Sequence, residues 1–261
     1  MLFGACIPTR SYDVAVSAGF DYVEFSGAEL SALSEEAYQA VAAKVSAGPI
    51  PCLALNSYCN GLPPFVGERF DLNDNVYYAQ HLFQRAAALG VRMVGIGAPK
   101  ARLLSHGYDR ALARRQCLSL LAKLCEIGRA YNLQINFEQL NPGCCDFGTT
   151  TDEVVGIVRE LEIDNLGLVV DFYHRAKAGE PITGLTSFAD LIGHTHISTS
   201  GAGDSRGYPS EADVLTYRKI MRELKQIHYH AAMSIEATAK DLLQDGQCAL
   251  NLLHRLEREF P

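Results

Sequence analysis

The feature that most constrains this chain is a regular alternation of short apolar runs with longer segments of helical periodicity. The apolar runs are rich in β-branched residues and have the length of strands. Eight are found, at residues 2–7, 22–26, 51–57, 91–97, 133–139, 166–172, 192–198 and 231–237. Runs that are apolar almost throughout are typical of strands buried on both faces, as in a parallel sheet covered by helices.

Amphipathic segments lie between these runs and predict helices. The first begins after Ser34, a favourable N-cap followed by acidic residues in the first turn, and the second ends at Leu89-Gly90, a typical helix stop. The predicted helices span residues 34–45, 75–89, 109–131, 151–161, 212–226 and 239–258.

Eight strand units in a chain of 261 residues favour a closed ring over an open sheet. An open nucleotide-binding sheet usually carries G-x-G-x-x-G after its first strand, and here that strand is followed by PTRSYD. The sequence therefore predicts an α/β fold, a single (β/α)8 TIM barrel. We find no linker or boundary and expect one domain over residues 1–261. The Gly- and Pro-rich segment at 58–72 is long enough to be a functional flap.

Composition argues against several classes of partner. The net charge is −7, and no basic run is longer than Arg114-Arg115, so a nucleic acid partner is not expected. No segment approaches the roughly 20 apolar residues of a membrane span. The eight cysteines form no C-x-x-C, and the first ten residues lack a signal-peptide pattern. We expect mostly reduced cysteines in a cytoplasmic protein that contacts neither membrane nor nucleic acid.

Strong ligand-type side chains follow four consecutive apolar runs. In a barrel the chemistry lies at the carboxyl ends of the strands. A carboxylate at such a buried position must be paired, protonated or bound to a metal, because isolated burial costs several kcal/mol or more. We expect the four side chains to surround one point near the barrel axis. They are Glu138, Asp171, His196 and Glu236.

Three carboxylates and an imidazole are hard or borderline ligands. The set predicts one divalent cation, with Mn²⁺ as first choice and Mg²⁺, Co²⁺ or Zn²⁺ as alternatives. Without the cation, mutual repulsion should raise the pKa of at least one of the carboxylates.

Each of these residues also has an ordinary structural interpretation. A lone acid at a strand end is more often a helix cap or salt-bridge partner, and we assign Glu24 of the second strand to that class. From side-chain alternation we expect only one of His194 and His196 to be a ligand, and we choose His196 because it is nearer the strand end. The other should be a packing or supporting residue. His174, three residues after Asp171, can reach the same site.

With these motifs the chain resembles the sugar isomerase and epimerase family with xylose-isomerase-like barrels, which includes ketose 3-epimerases, hydroxypyruvate isomerase and an endonuclease IV branch. The segments that carry the resemblance are YVEFSG (22–27), INFEQLNP (135–142), VVDFYH (169–174), GHTHIS (193–198) and MSIEA (233–237). The resemblance covers nearly the whole chain in strand order, and its specific motifs lie in the second half.

The resemblance implies roles for individual residues. The family's four metal ligands match Glu138, Asp171, His196 and Glu236, and its substrate-contacting His matches His174. A substrate-contacting Arg matches Arg206, in the segment 204–213. The epimerases commonly carry a further acid six residues after the fifth-strand Glu. Here that place is Cys144, which puts a ketose 3-epimerase specificity in question.

The function implied is a metal-dependent isomerisation or epimerisation of a small sugar through an enediolate, with Glu138 and Glu236 exchanging the proton. The nearest enzymatic alternative is an endonuclease IV-like metal phosphodiesterase, which would need further histidines on other strands. A non-catalytic sugar- or metal-binding barrel and a lyase or deglycosylase using the same enolate chemistry also remain open. By resemblance, a homo-oligomer is possible.

Overall fold

The eight apolar runs form parallel strands that close into a barrel in the part of the chain that the computed structural model describes, residues 1–200 and 205–260. Each strand pairs with its neighbours in sequence, and the first pairs with the last from Leu2↔Ala232 to Ala5↔Ile235. The barrel strands are Leu2–Ile7, Tyr22–Ser26, Cys52–Asn56, Met93–Ile96, Gln134–Glu138, Leu166–Asp171, Ile192–Ile197 and Ala232–Ile235. Each lies within its predicted run, and the predicted TIM-barrel class is confirmed.

Helices surround the barrel. Over the described residues they are α1 (Tyr12–Ala18), α2 (Gly27–Ala32), α3 (Glu35–Ala47), α4 (Leu72–Ala88), α5 (Arg110–Ala130), α6 (Thr151–Leu161), α7 (Phe172–Lys177), α8 (Val214–Gln226) and α9 (Leu242–Arg258). The six predicted helices correspond to α3, α4, α5, α6, α8 and α9. The short α1, α2 and α7 were not predicted, because six or seven residues give too little periodicity.

Helix α4 begins three residues before its predicted start at Asn75. The reason is a cap: one side-chain oxygen of Asp71 accepts the backbone N–H groups of Asn73 (2.7 Å) and Asp74 (3.3 Å). The backbone donors at the start of the helix are thereby satisfied, and the first turn forms before the apolar stripe begins.

The barrel interior is filled by side chains and is not a channel. The Tyr22 hydroxyl lies 2.8 Å from Ser234 Oγ, between the second and eighth strands. Gly4 of the first strand makes room for that tyrosine, since a Cβ there would lie 2.4 Å from the ring. This packing closes the middle of the barrel and leaves its carboxyl-terminal mouth open for a site.

The segment predicted as a flap, residues 58–72, is attached to the barrel by buried side chains. Tyr58, Phe65 and Val66 are almost fully buried. The Phe65 backbone N–H also donates to the carbonyl of Ala101 at 2.8 Å. The segment therefore forms part of the wall at the mouth of the barrel, and helix α4 begins at its end.

The state of the cysteines and the lack of a membrane span were both predicted from the sequence. All eight cysteines are free thiols, five of them buried, as expected for reduced core residues. Within residues 1–200 and 205–260, no helix combines the length and apolarity that crossing a membrane requires.

Candidate metal centre

The structure brings the four predicted ligands together. Glu138 and Asp171 end the fifth and sixth strands, His196 lies near the end of the seventh, and Glu236 directly follows the eighth. Their ligand atoms all lie within 4.8 Å of one another. The first three residues are buried, and the Glu236 side chain is 19% exposed. The four side chains therefore converge at the barrel mouth, as predicted.

Two buried polar atoms of this quartet have no hydrogen-bond partner. They are His196 Nδ1 and Glu138 Oε1, which face each other at 3.4 Å. His196 Nδ1 also lies 3.6 Å from Glu236 Oε2. Buried polar atoms are nearly always satisfied, and a cation among these three atoms would satisfy them together. The donor set therefore fits a divalent cation.

The end of the fourth strand leaves space for the Glu138 carboxylate. A Cβ on Gly97 would lie 2.4 Å from Glu138 Oε2, so any larger residue at position 97 would displace that carboxylate. Behind it, the buried Arg102 donates to the backbone oxygen of Glu138 at 2.7 Å and also to that of Ile96. This arginine ties the ends of the fourth and fifth strands together. Nothing in the sequence pattern pointed to it.

Glu24 holds both histidines of the seventh strand. Its carboxylate accepts from His194 Nε2 (2.8 Å), His196 Nε2 (3.1 Å) and Ser234 Oγ (2.6 Å). Because an ionised carboxylate is acceptor-only, Nε2 of His196 must carry the proton of that bond, and Nδ1 becomes the nitrogen available to a cation. The assignment of Glu24 as a salt-bridge partner agrees with this geometry.

The reasoning that separated His194 from His196 by alternation was wrong. Residues two apart share one face of a strand, and both rings point into the barrel with their centroids 4.9 Å apart. The two histidines differ in depth along the axis. His196 faces the acid cluster, and His194 lies beside Glu24 further from the mouth.

A second group of possible ligand atoms comprises Cys6, Glu24 and His196. Both oxygens of Glu24 already accept hydrogen bonds, so this carboxylate is less available than that of Glu138. The quartet that includes Glu138 is the better candidate for a cation.

Asp171 has two functions at once. Its Oδ1 caps helix α7 by accepting the backbone N–H groups of Tyr173 (2.7 Å) and His174 (3.2 Å). Its Oδ2 faces the quartet and accepts from Arg206 at 2.7 Å. Asp171 is therefore both a helix cap and a candidate metal ligand.

Arg206 lies at the rim of the quartet. One terminal nitrogen contacts Asp171 Oδ2 (2.7 Å), and the other contacts Glu236 Oε2 (2.8 Å). The guanidinium also packs over the Tyr173 ring at 4.6 Å. Its position at the site agrees with the match of Arg206 in the segment 204–213. Residue 204 of that segment lies outside the described residues, as do 201–203 and 261.

Charge and burial shift the pKa values of these groups in opposite directions. Burial raises the pKa of Glu236, and the neighbouring Glu138 and Asp171 add to the rise. Burial also disfavours the ionised form of Asp171, but Arg206 together with His174 and His196 more than offsets this and lowers its pKa. For His196, burial lowers the pKa, while the charges of Glu24 and Glu236 raise it well above the ordinary value. Arg206, which contacts both Asp171 and Glu236, offsets part of the negative charge of the site.

A cavity of about 740 Å³ opens above the quartet. It is lined by Cys6, Asn56, Glu138, His174, Arg206 and Glu236, among others. His174 Nδ1 accepts the Asn141 backbone N–H at 3.3 Å, which leaves Nε2 as the nitrogen that can donate. Asn56 was not predicted as a site residue. It ends the third strand and donates to Glu236 Oε1 at 2.7 Å, so the strand-end rule would have found it had amides been included.

Cys144 is half-buried on the loop after the fifth strand and does not line this cavity. Its Sγ donates to the Asn141 carbonyl at 3.2 Å. A hydrogen bond from the Cys145 side chain lowers the pKa of Cys144 to about 6, against the opposing effect of burial.

The fold and the cluster at its mouth define a class: a TIM barrel with a carboxylate–imidazole site that suits a divalent cation. The family model described as "Xylose isomerase-like TIM barrel" matches residues 12–253. The chain belongs to this family.

Comparison with known proteins agrees with this fold. L-ribulose 3-epimerase superposes with a TM-score of 0.80 at 17% identity, covering 99% of this chain and 96% of that one. The 3-keto-D-glucoside 4-epimerase YcjR from E. coli gives 0.77 at 16%, covering 98% and 99%. IolI, solved with a bound zinc atom, gives 0.76 at 18%, covering 100% and 99%.

A sequence relative covers less of the chain. The uncharacterized protein MJ1311 of Methanocaldococcus jannaschii is 27% identical over 124 residues, 45% of this chain and 41% of that protein. The matched part is thus under half the length of the relative, and it adds no information about activity.

Proposed function

We propose that this protein is a divalent-metal-dependent isomerase or epimerase of a sugar or sugar derivative. The observation that carries the proposal is the convergence of Glu138, Asp171, His196 and Glu236, with two buried polar atoms that lack partners, beneath an open cavity. Of the three structural neighbours described above, two are named as sugar epimerases and the third was solved with zinc. These names support the class of reaction and leave the individual sugar open.

The quartet would hold the cation, with His196 contributing Nδ1. Three carboxylates with one imidazole suit Mn²⁺ first, with Mg²⁺, Co²⁺ or Zn²⁺ as alternatives. When bound, such a cation supplies a Lewis acid that polarises a substrate carbonyl and stabilises negative charge on oxygen.

Glu138 and Glu236 are the proposed acid–base pair. They project from the ends of the fifth and eighth strands and line the same cavity. One carboxylate removes the proton from the carbon beside the carbonyl to give an enediolate, and the other returns it. A raised pKa suits Glu236 to this role, because a group that accepts and donates a proton works best with a pKa near the working pH. Asn56, bonded to Glu236 Oε1, fixes the orientation of that carboxylate.

His174 and Arg206 are the proposed substrate-binding residues. His174 can donate from Nε2 to a substrate hydroxyl, because its Nδ1 is occupied by Asn141. Arg206 lies over the quartet and can donate to a substrate oxygen in place of one of its present acceptors. Both residues line the cavity that the substrate would enter.

The test is exchange of substrate C–H with solvent deuterium, measured by NMR over a panel of ketoses and aldoses with added Mn²⁺. Glu138→Gln and Glu236→Gln should each reduce exchange by about 10²–10⁴-fold, the usual contribution of general acid–base catalysis. Glu223→Gln is the matched control, since Glu223 is a buried carboxylate that accepts the Leu185 backbone N–H at 2.9 Å, outside the cavity lining.

Unchanged exchange in either variant would remove that residue from the proposed role. Metal binding without exchange of any sugar would favour a non-catalytic binding barrel instead. The phosphodiesterase alternative gains no support from the geometry. The third strand ends in Asn56 and the fourth is followed by Gly97, so neither supplies the additional histidines that a larger metal cluster would need.

A further inference from the structure

A second cavity of about 540 Å³ adjoins the one above the quartet. The two share lining residues at the ends of the second, third and fourth strands, namely Ser26, Glu29, Ser57, Ala98 and Pro99. They therefore form one continuous groove, with the quartet at one end. Cavities of about 300–1,000 Å³ hold drug-sized ligands. The first cavity alone, at 740 Å³, already has room for a monosaccharide.

The far part of the groove is bounded by a fixed loop. Gly61 has φ +89°, a conformation that favours glycine, and a Cβ there would lie 2.7 Å from the Lys100 Cβ. Lys100 Nζ in turn lies 3.4 Å from Asn60 Oδ1. Two small residues of helix α2, Ala28 and Ala32, also line the cavity.

The polar groups of this second cavity are mixed in charge. Glu29 accepts two hydrogen bonds from Thr9, from the backbone N–H at 3.1 Å and from the hydroxyl at 2.6 Å. Both reach Oε1, so Oε2 can accept from a ligand. Lys100 and Asn60 provide donors, and Ser26 and Ser57 add hydroxyls. Lys100 is the one cationic side chain lining the cavity among the described residues, and it is balanced by Glu29.

This combination suits a neutral group that carries several hydroxyls. Such a group both donates and accepts, and it can use a carboxylate, an amide and an ammonium together. A phosphate is acceptor-only and doubly charged. It would meet a single lysine and a carboxylate, whereas phosphate sites usually concentrate arginines, lysines or backbone N–H groups.

We propose that the second cavity is a subsite for a neutral, hydroxyl-rich substituent, so that the substrate is a glycosylated sugar and not a free monosaccharide. This inference rests on the proposed function, because the reacting sugar must lie over the quartet for its substituent to reach Lys100. The groove fixes the direction: the substituent extends from the quartet past Ser57 toward Asn60.

The experiment compares kcat/KM for one reacting sugar in free, glycosylated and phosphorylated form, using the Mn²⁺-loaded full-length protein. D-fructose, lactulose, isomaltulose and D-fructose 6-phosphate form the first set, extended to the same three forms of any other sugar that shows deuterium exchange. A neutral glycosyl form should exceed the free sugar by at least tenfold. A free sugar that equals or exceeds its glycosides overturns the subsite, and preference for the phosphate overturns its neutral character.

Two kinds of variant locate the effect. Lys100→Ala and Ala28→Leu should each lower kcat/KM for the glycosylated form by at least fivefold and leave the free form within twofold. Lys219→Ala, an exposed lysine on helix α8, is the matched control and should change neither. Equal loss for both forms contradicts a separate subsite. Absence of exchange with every form, in a protein that binds Mn²⁺, counts against the proposed function itself.

Discussion

Glu24 offers the sharpest test of how the site is built, because it touches the predicted ligand set only through His196. The substitution Glu24→Gln keeps the size of the side chain and removes its charge. In the protein, the carboxylate accepts from His194, His196 and Ser234 and is fully buried. A glutamine offers one oxygen to these donors and turns its N–H₂ group toward the others, so at least one bond is lost.

The size of the effect follows from the kind of bond that is lost. Burial raises the pKa of Glu24, but the two histidines more than offset this and hold it well below its usual value, so the residue is ionised. A hydrogen bond to a charged group contributes about 1.5–3 kcal/mol. Loss of the Glu24–His196 bond should therefore weaken metal binding by roughly 10- to 100-fold, the range typical of residues that orient a ligand.

The assay is Mn²⁺ affinity, measured by competition with a chelator of known affinity, together with the melting temperature with and without metal. Glu223→Gln is again the control, since it removes a buried carboxylate charge away from the site and should lower stability without changing the metal Kd. A Glu24→Gln variant that binds Mn²⁺ as tightly as the parent would refute the proposed role of Glu24 and of His196 Nδ1.

Three further predictions follow from the charges of the site. Mn²⁺ binding should weaken as pH falls and release protons near pH 7, because the pKa values of His196 and Glu236 are raised and only their deprotonated forms bind the cation. Calorimetry in buffers of different ionisation enthalpy measures the released protons, and a binding heat that does not depend on the buffer would contradict the prediction. Arg206→Met should lower the free energy of unfolding of the metal-free protein by about 3 kcal/mol, since it leaves the buried Asp171 and Glu236 unpaired. Mn²⁺ should then raise the melting temperature of this variant more than that of the parent. Equal rises would contradict the role of Arg206 in neutralising the two acids. The rate at which iodoacetamide alkylates Cys144 should reach half its maximum near pH 6, since the thiolate is the reactive form and is present above the pKa. Peptide mapping measures this rate, and Cys144→Ser should abolish the modification at this position. A rate at Cys144 that does not rise near pH 6 would contradict the lowered pKa.

Much of the architecture could be predicted because a buried parallel strand leaves a strong signal. Each strand of the barrel lies within its apolar run, and the four ligand-type residues follow from their place at or just beyond strand ends. The short helices could not be found in this way. Helix α7 has six residues and depends on a cap from Asp171, a residue that was noted only as a ligand.

Other parts of the site depend on three-dimensional contacts that a pattern does not contain. The position of His196 depends on Glu24, which lies 172 residues away in sequence. Arg102 is fully buried and holds two strand ends together by donating to their backbone oxygens. Because backbone oxygens are present in every sequence, the strand pattern does not indicate which residue donates to them. Asn56 could have been found by the same rule that found the acids. It was missed because only carboxylates and imidazoles were considered as site residues.

We propose that one cation binds where the ends of four consecutive strands meet. Anomalous diffraction from Mn²⁺-soaked crystals tests this directly. We expect a single strong peak within coordination distance of Glu138, Asp171, Glu236 and Nδ1 of His196. A peak beside Cys6 and Glu24, or no peak at a Mn²⁺ concentration that supports exchange, would contradict it.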